Sequence, residues 1–113
     1  MSEEASSNYP ISEQFRIVAK KWAEADKAAS LMEETKSSVL SEMINGVISY
    51  NIDMPYNKAE LSAKSNPEYK EFITTMVEFR SKANLLKVQM EYLRMKFQEW
   101  SSHEANARAE KRL

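Results

Sequence analysis

Three features of this sequence predict an all-α fold: an elongated helical hairpin of two long helices, with coiled-coil-like packing and a short helix in the connector. One Gly and three Pro in 113 residues are too few for the turns of a β-rich fold. Ala, Glu, Lys, Leu and seven Met are abundant, and such side chains lose little freedom in a helix. Apolar residues also recur in steps of three and four along two long stretches. Residues 1–11 read as a disordered tail, and 12–113 as a single helical domain.

The first long helix is expected to begin near Ser12. Pro10 lies just outside it, and Glu13 suits the positive helix end. Its seam is Phe15, Val18, Trp22, Ala25, Ala29, Met32, Val39 and Met43. Lys36 holds the apolar place between Met32 and Val39, where it either fixes register or snorkels to solvent. The stripe then moves to Leu40, Ile44, Val47 and Ile48. Gly46 marks a stop or a bend there, and the β-branched Val47-Ile48 pair weakens the helix. Residues 50–57 read as a connector, with Pro55 disfavouring helix at Met54. Asn57 is expected to cap a short helix over 58–64. Asn66-Pro67-Glu68 is a helix start: an N-cap, a proline at the first helical position and an acid at the dipole.

From Pro67 the chain runs to its end without Gly or Pro. The seam of this last helix is Tyr69, Phe72, Met76, Phe79, Ala83, Leu86, Met90, Leu93, Phe97 and Trp100. At 1.5 Å per residue the helix is roughly 60 Å long. A second stripe, Leu85, Val88, Tyr92 and Met95, steps by three, four and three on another face, and Ile73 and Val77 widen the apolar surface. One neighbouring helix cannot cover so wide a stripe. A homo-oligomer is therefore expected, with Leu86, Met90, Leu93, Phe97 and Trp100 at its interface. Trp22, Phe97 and Trp100 read as core anchors. Beyond residue 100 the stripe is lost, and Arg108, Lys111 and Arg112 make a basic end.

Composition narrows the function classes. With 42% hydrophobic and 29% charged residues, the chain is not a disordered tail. No apolar run approaches the ~20 residues of a membrane span. The acidic, polar start is unlike a signal peptide. The absence of Cys excludes disulfides and thiolate metal sites and suits a cytoplasmic protein. Enzyme chemistry lacks its parts. The one His, His103, sits between Ser102 and Glu104 on a helix, where sequence neighbours point in different directions. No His follows a Glu at the three-residue spacing of metal-binding bundles, and one Gly cannot build a phosphate loop. No catalytic residue, metal or cofactor is expected.

The chain's net charge is −1, so any nucleic-acid contact must come from a local patch. With Phe79 at heptad position d, Arg80, Lys87, Arg94 and Arg108 fall at e, and Lys82 and Lys96 at g. Arg80, Lys82, Lys87, Arg94 and Lys96 could hold a phosphate backbone, with Tyr92 available to stack on a base. Alternatively, they pair with Glu24, Asp26, Glu33, Glu34 and Glu42 of the first helix.

The arrangement resembles the UvsY-type recombination mediators of tailed phages. The likeness lies in Lys21-Trp22 of the first helix, the segment Glu60-Leu61-Ser62-Ala63, and the run from Asn84 to Trp100; it covers residues 15–108 in architecture. It implies a small, non-enzymatic oligomer of phage or prophage recombination, acting in the host cytoplasm. It also implies that the protein binds single-stranded DNA and helps load a recombinase. The family carries basic residues toward the end of its first long helix. This chain has Ser37-Ser38-Val39-Leu40-Ser41-Glu42-Met43 there, so the DNA contact is assigned to the row on the last helix. The alternative is an adaptor that binds itself or a partner helix, without nucleic acid.

A charge in the last helix's seam should disrupt it. Leu86→Asp is expected to dissociate or unfold the protein, seen as a loss of size or helicity. Unchanged sedimentation and circular dichroism would rule out the heptad assignment.

Overall fold

A computed structural model describes residues 10–112. It has three helices, α1 (Ile11–Tyr50), α2 (Tyr56–Lys64) and α3 (Pro67–Arg112), and no strand among the described residues. The architecture is the expected all-α hairpin, two long helices with a short one between them. The tail assigned to 1–11 lies outside the described residues as far as residue 9. The chain forms two compact units. Unit 1 joins α1 up to Ala25 with α3 from Lys82 onward, and unit 2 is Asp26–Ser81.

Unit 2 holds the hairpin turn. Ile44, Ala59 and Ala63 are buried at its core, with Leu40, Met43, Val47, Ile48 and Met54 packed around them. Ala59 and Ala63 are four residues apart and share one face of α2. Having only a methyl each, they let α2 lie close on α1. This burial explains why α1 does not stop at Gly46. Val47 and Ile48 bury apolar area against α2, which outweighs their weak helix propensity. Gly46 has no positive φ, and the helix ends only where Asn51 N–H bonds back to the Val47 and Ile48 carbonyls, both at 3.1 Å.

The caps divide between expectation and correction. Asn66 caps α3 as read: its Oδ1 accepts Glu68 N–H at 2.8 Å, and its carbonyl accepts Lys70 N–H at 3.1 Å. Asn57 does not cap α2. The helix starts two residues earlier, with Pro55 as N-cap and no side-chain cap bond. The Pro55 carbonyl receives Lys58 and Ala59 N–H, both at 3.1 Å, so Asn57 falls inside the first turn. Proline has no side-chain acceptor, so its carbonyl alone supports the start. The Pro10 carbonyl does the same for α1, accepting Glu13 and Gln14 N–H at 3.0 Å each.

In unit 1 the buried residues are Ile17 and Val18 of α1 and Ala83 and Leu93 of α3. Phe15, Trp22, Leu86 and Met90 are half-buried beside them. Phe97 and Trp100, read as core anchors, are instead 41% and 52% exposed. The reason is register. Residues 10–14, where α1 begins, lie beside Lys96, Phe97 and Trp100. Past that point α3 has no α1 residues left to pack on. This is also where its apolar stripe stops.

Gly46 sits in an unstrained helix with nothing within 4 Å of a Cβ built there. Gly46→Ala is therefore expected to stabilise the fold by about 0.5–1 kcal/mol, read as a raised denaturant midpoint at unchanged m-value. A loss of stability would mean that α1 needs flexibility at this position.

Candidate nucleic-acid interface on α3

Charge is unevenly divided between the two units. The described part of unit 1 holds ten Lys and Arg against six Glu, a net +4, whereas unit 2 holds six cations against nine acids, a net −3. A chain of near-zero total charge thus carries a basic unit. In unit 1 the basic part of α3, Lys82 to Lys96, shares its surroundings with Arg16, Lys20 and Lys21 of α1. Of the five acids read as possible partners, Asp26, Glu33, Glu34 and Glu42 belong to unit 2 and Glu24 to unit 1.

This division decides where each predicted cation goes. Arg80, in unit 2, meets the acids. Its Nη1 donates to Asp26 Oδ1 at 2.7 Å, its Nε and Nη2 to Glu33 at 2.9 and 2.7 Å, and Nη2 also to Ser30 Oγ at 3.2 Å. The fork on Glu33 is bidentate, the geometry that suits guanidinium and carboxylate best. The hydrogen bond from Arg80 holds the Glu33 carboxyl below its ordinary range, while Glu33 and Asp26 hold Arg80 above its own. The guanidinium is committed to α1.

Lys82, Lys87, Arg94 and Lys96 are all exposed. Lys82, Lys87 and Arg94 make no ion pair or hydrogen bond among the described residues. Lys96 Nζ lies 5.8 Å from the centre of the Tyr92 ring, within cation–π range. Lys87 and Arg94 are seven residues apart, about 10 Å along one flank of the helix, and Lys82 and Lys96 lie on the other flank. Tyr92 as a residue is 58% exposed, with Lys96 over its ring.

The residues predicted for the oligomer interface fall into two groups. Leu93 is buried within the single chain, and Leu86 and Met90 are half-buried. Phe97 and Trp100 are open to solvent, with ring centroids 5.8 Å apart. They border an open concavity of about 420 Å³ whose other walls are Pro10, Ile11, Ser12, Gln14 and Lys96. His103 lies in a shallow hollow lined by α3 alone, with Glu99 and Ser102. Among the described residues no three His, Asp or Glu side chains are grouped to hold a metal ion, and no helix is long and apolar enough to cross a membrane.

Pairing with Asp26 and Glu33 is one of the two alternatives read for the row; among the described residues Arg80 alone takes it, and Ser30 is the partner the sequence reading does not name. A signal for it was present: Asp26, Ser30 and Glu33 recur on one face of α1 in steps of four and three. Assigning their partner required the pairing register of the two helices, which periodicity does not supply. The fold and site together define a helical hairpin with a basic, unpaired α3 surface. No family model matches the chain, and comparison with curated proteins and with solved structures gave no match.

The Glu33 shift implies a pH dependence. A carboxyl held low in the folded state contributes its stability in full above the unfolded value near 4.5, and loses it as pH falls through the lower folded value. Denaturation of the wild type and Arg80→Gln is expected to show a stability gap at pH 7 that narrows below pH 4.5. A gap independent of pH would show that Arg80 acts through packing and not through its acids.

Proposed function

We propose that this protein is a non-enzymatic, oligomeric, single-stranded-DNA-binding accessory protein of phage or prophage recombination, of mediator type. On this reading it helps a recombinase load onto the strand from a cytoplasmic pool. The observation that carries the proposal is the contrast along one helix: Arg80 is taken up by acids, while Lys82, Lys87 and Arg94 have none. An exposed row of cations supplies the phosphate contacts that a single strand offers. Arg80 leaves the set of expected contacts, and Lys87 and Arg94 lead it.

The adaptor reading has its own support. Arg80 does pair across the hairpin, and much apolar surface of α3 is left open. Salt dependence separates the two, because phosphate contacts release counterions and an apolar contact does not.

The test is fluorescence anisotropy on a labelled single-stranded oligonucleotide over a salt series, with duplex as control. The wild type is expected to prefer the single strand and to weaken steeply with salt. Lys87→Gln with Arg94→Gln should flatten the log–log salt slope by about 1.4 per bound copy, at ~0.7 for each lost phosphate contact. Arg80→Gln should leave that slope unchanged. Absence of binding at low salt would overturn the proposal and leave the adaptor.

A further inference from the structure

α3 in unit 1 is apolar on two opposite faces. Ala83 and Leu93 are buried on one, with Leu86 and Met90 half-buried beside them. About half a turn away, Leu85, Val88, Tyr92 and Met95 are 72%, 64%, 58% and 58% exposed. A single exposed apolar residue is unremarkable, but four in a continuous three-four-three stripe form the seam of a further helix pair.

The polar residues bordering this stripe indicate what covers it. Asn84, Glu91 and Gln98 run along one edge, and Gln89, Lys96 and His103 along the other. When two such helices pair in parallel and in register, each residue of the first edge faces the partner's second-edge residue five positions further on. Asn84 then meets Gln89 of the second copy, Glu91 meets Lys96, and Gln98 meets His103. Every pair is complementary, and each occurs twice by symmetry. In an antiparallel pair centred on the same four residues, like edges face each other. Lys82 would then lie against Lys96 and Glu91 against Glu91, both repulsive, while Gln89 meets Gln89 and Asn84 meets Gln98 without gain of charge pairing.

We infer that the Leu85–Val88–Tyr92–Met95 face of α3 docks a second copy of this chain, parallel and in register, with Glu91 and Lys96 forming reciprocal ion pairs. The inference concerns assembly; it covers Tyr92 and pairs Lys96, which leaves any DNA contact of the assembled protein to Lys87 and Arg94. Every measurement below is made without DNA, so its failure and the failure of the proposed function are separable.

The chain has no Cys, so one introduced Cys reports one position. Met95→Cys in the full-length protein is expected to oxidise to a covalent dimer with itself. Parallel pairing brings identical positions together, whereas antiparallel pairing sets Met95 against Leu85. Sedimentation then reads the charges on otherwise native protein. Glu91→Lys should weaken self-association by roughly five- to tenfold, as two reciprocal pairs become repulsive. Glu91→Lys with Lys96→Glu should restore it. All three positions are exposed, so folding is retained. A chain that stays monomeric throughout, a cross-link formed only between Leu85→Cys and Met95→Cys, or a double swap that fails to rescue would each overturn the inference.

Discussion

One neighbouring long helix can cover one face of α3, and much of this protein follows from that limit. In a helical hairpin there is no third long helix and no second layer to pack against. α3 nevertheless carries apolar side chains on opposite sides over the same stretch of about three turns. The face with Ala83, Leu86, Met90 and Leu93 is covered inside unit 1. The face with Leu85, Val88, Tyr92 and Met95 is not. Opposite stripes also cancel in any simple measure of amphipathicity, because each apolar residue is balanced by another half a turn away. A helix of this kind is built for two neighbours, and the chain supplies one.

The same limit governs the polar groups. A cation beside the seam of a hairpin pairs only with what the other helix places at its level. At the level of Arg80, α1 presents Asp26, Ser30 and Glu33, and the guanidinium is held by all three. Within unit 1, α1 presents Arg16, Lys20 and Lys21 as well as Glu24. Lys87 and Arg94 make no ion pair among the described residues, although Glu91 stands four residues from one and three from the other. A near-neutral sequence can carry a basic surface when pairing register sorts its charges.

The sequence made the helices legible and left the register hidden. Three-four spacing located α1 and α3, and the Asn66-Pro67-Glu68 start is capped as its chemistry requires. The errors arose where local preference and burial disagree. Gly46 and the β-branched pair after it suggested an ending, but Val47 and Ile48 bury against α2, a tertiary gain invisible in a window of sequence. Asn57 suggested a cap, but the Pro55 carbonyl two residues earlier took the role. Trp100 suggested a core anchor, because aromatic residues are most often buried. Its exposure depends on α1 starting at Ile11, beside Lys96 and Phe97, a fact of pairing and not of composition. The candidate site divided for the same reason. All five cations were visible in the sequence, but which of them had partners was not.

Assembly and DNA contact bear on each other through Lys96. In a parallel pair of α3 helices Lys96 faces Glu91 of the second copy, and its charge is then partly neutralised. Lys87 and Arg94 stand four and three residues from Glu91 on the same edge, so each row borders that ion pair without being part of it. A parallel two-fold arrangement gives one such row per copy, both running in the same direction. A single strand has a direction too, so equivalent rows would engage it with equivalent polarity. Each row is short, two cations spread over about 10 Å, and would bind weakly alone. Joining copies raises the effective concentration of the second row once the first is bound, which strengthens binding without adding any new contact. On this view, the apolar face that α1 leaves uncovered is what would make a weak basic row useful.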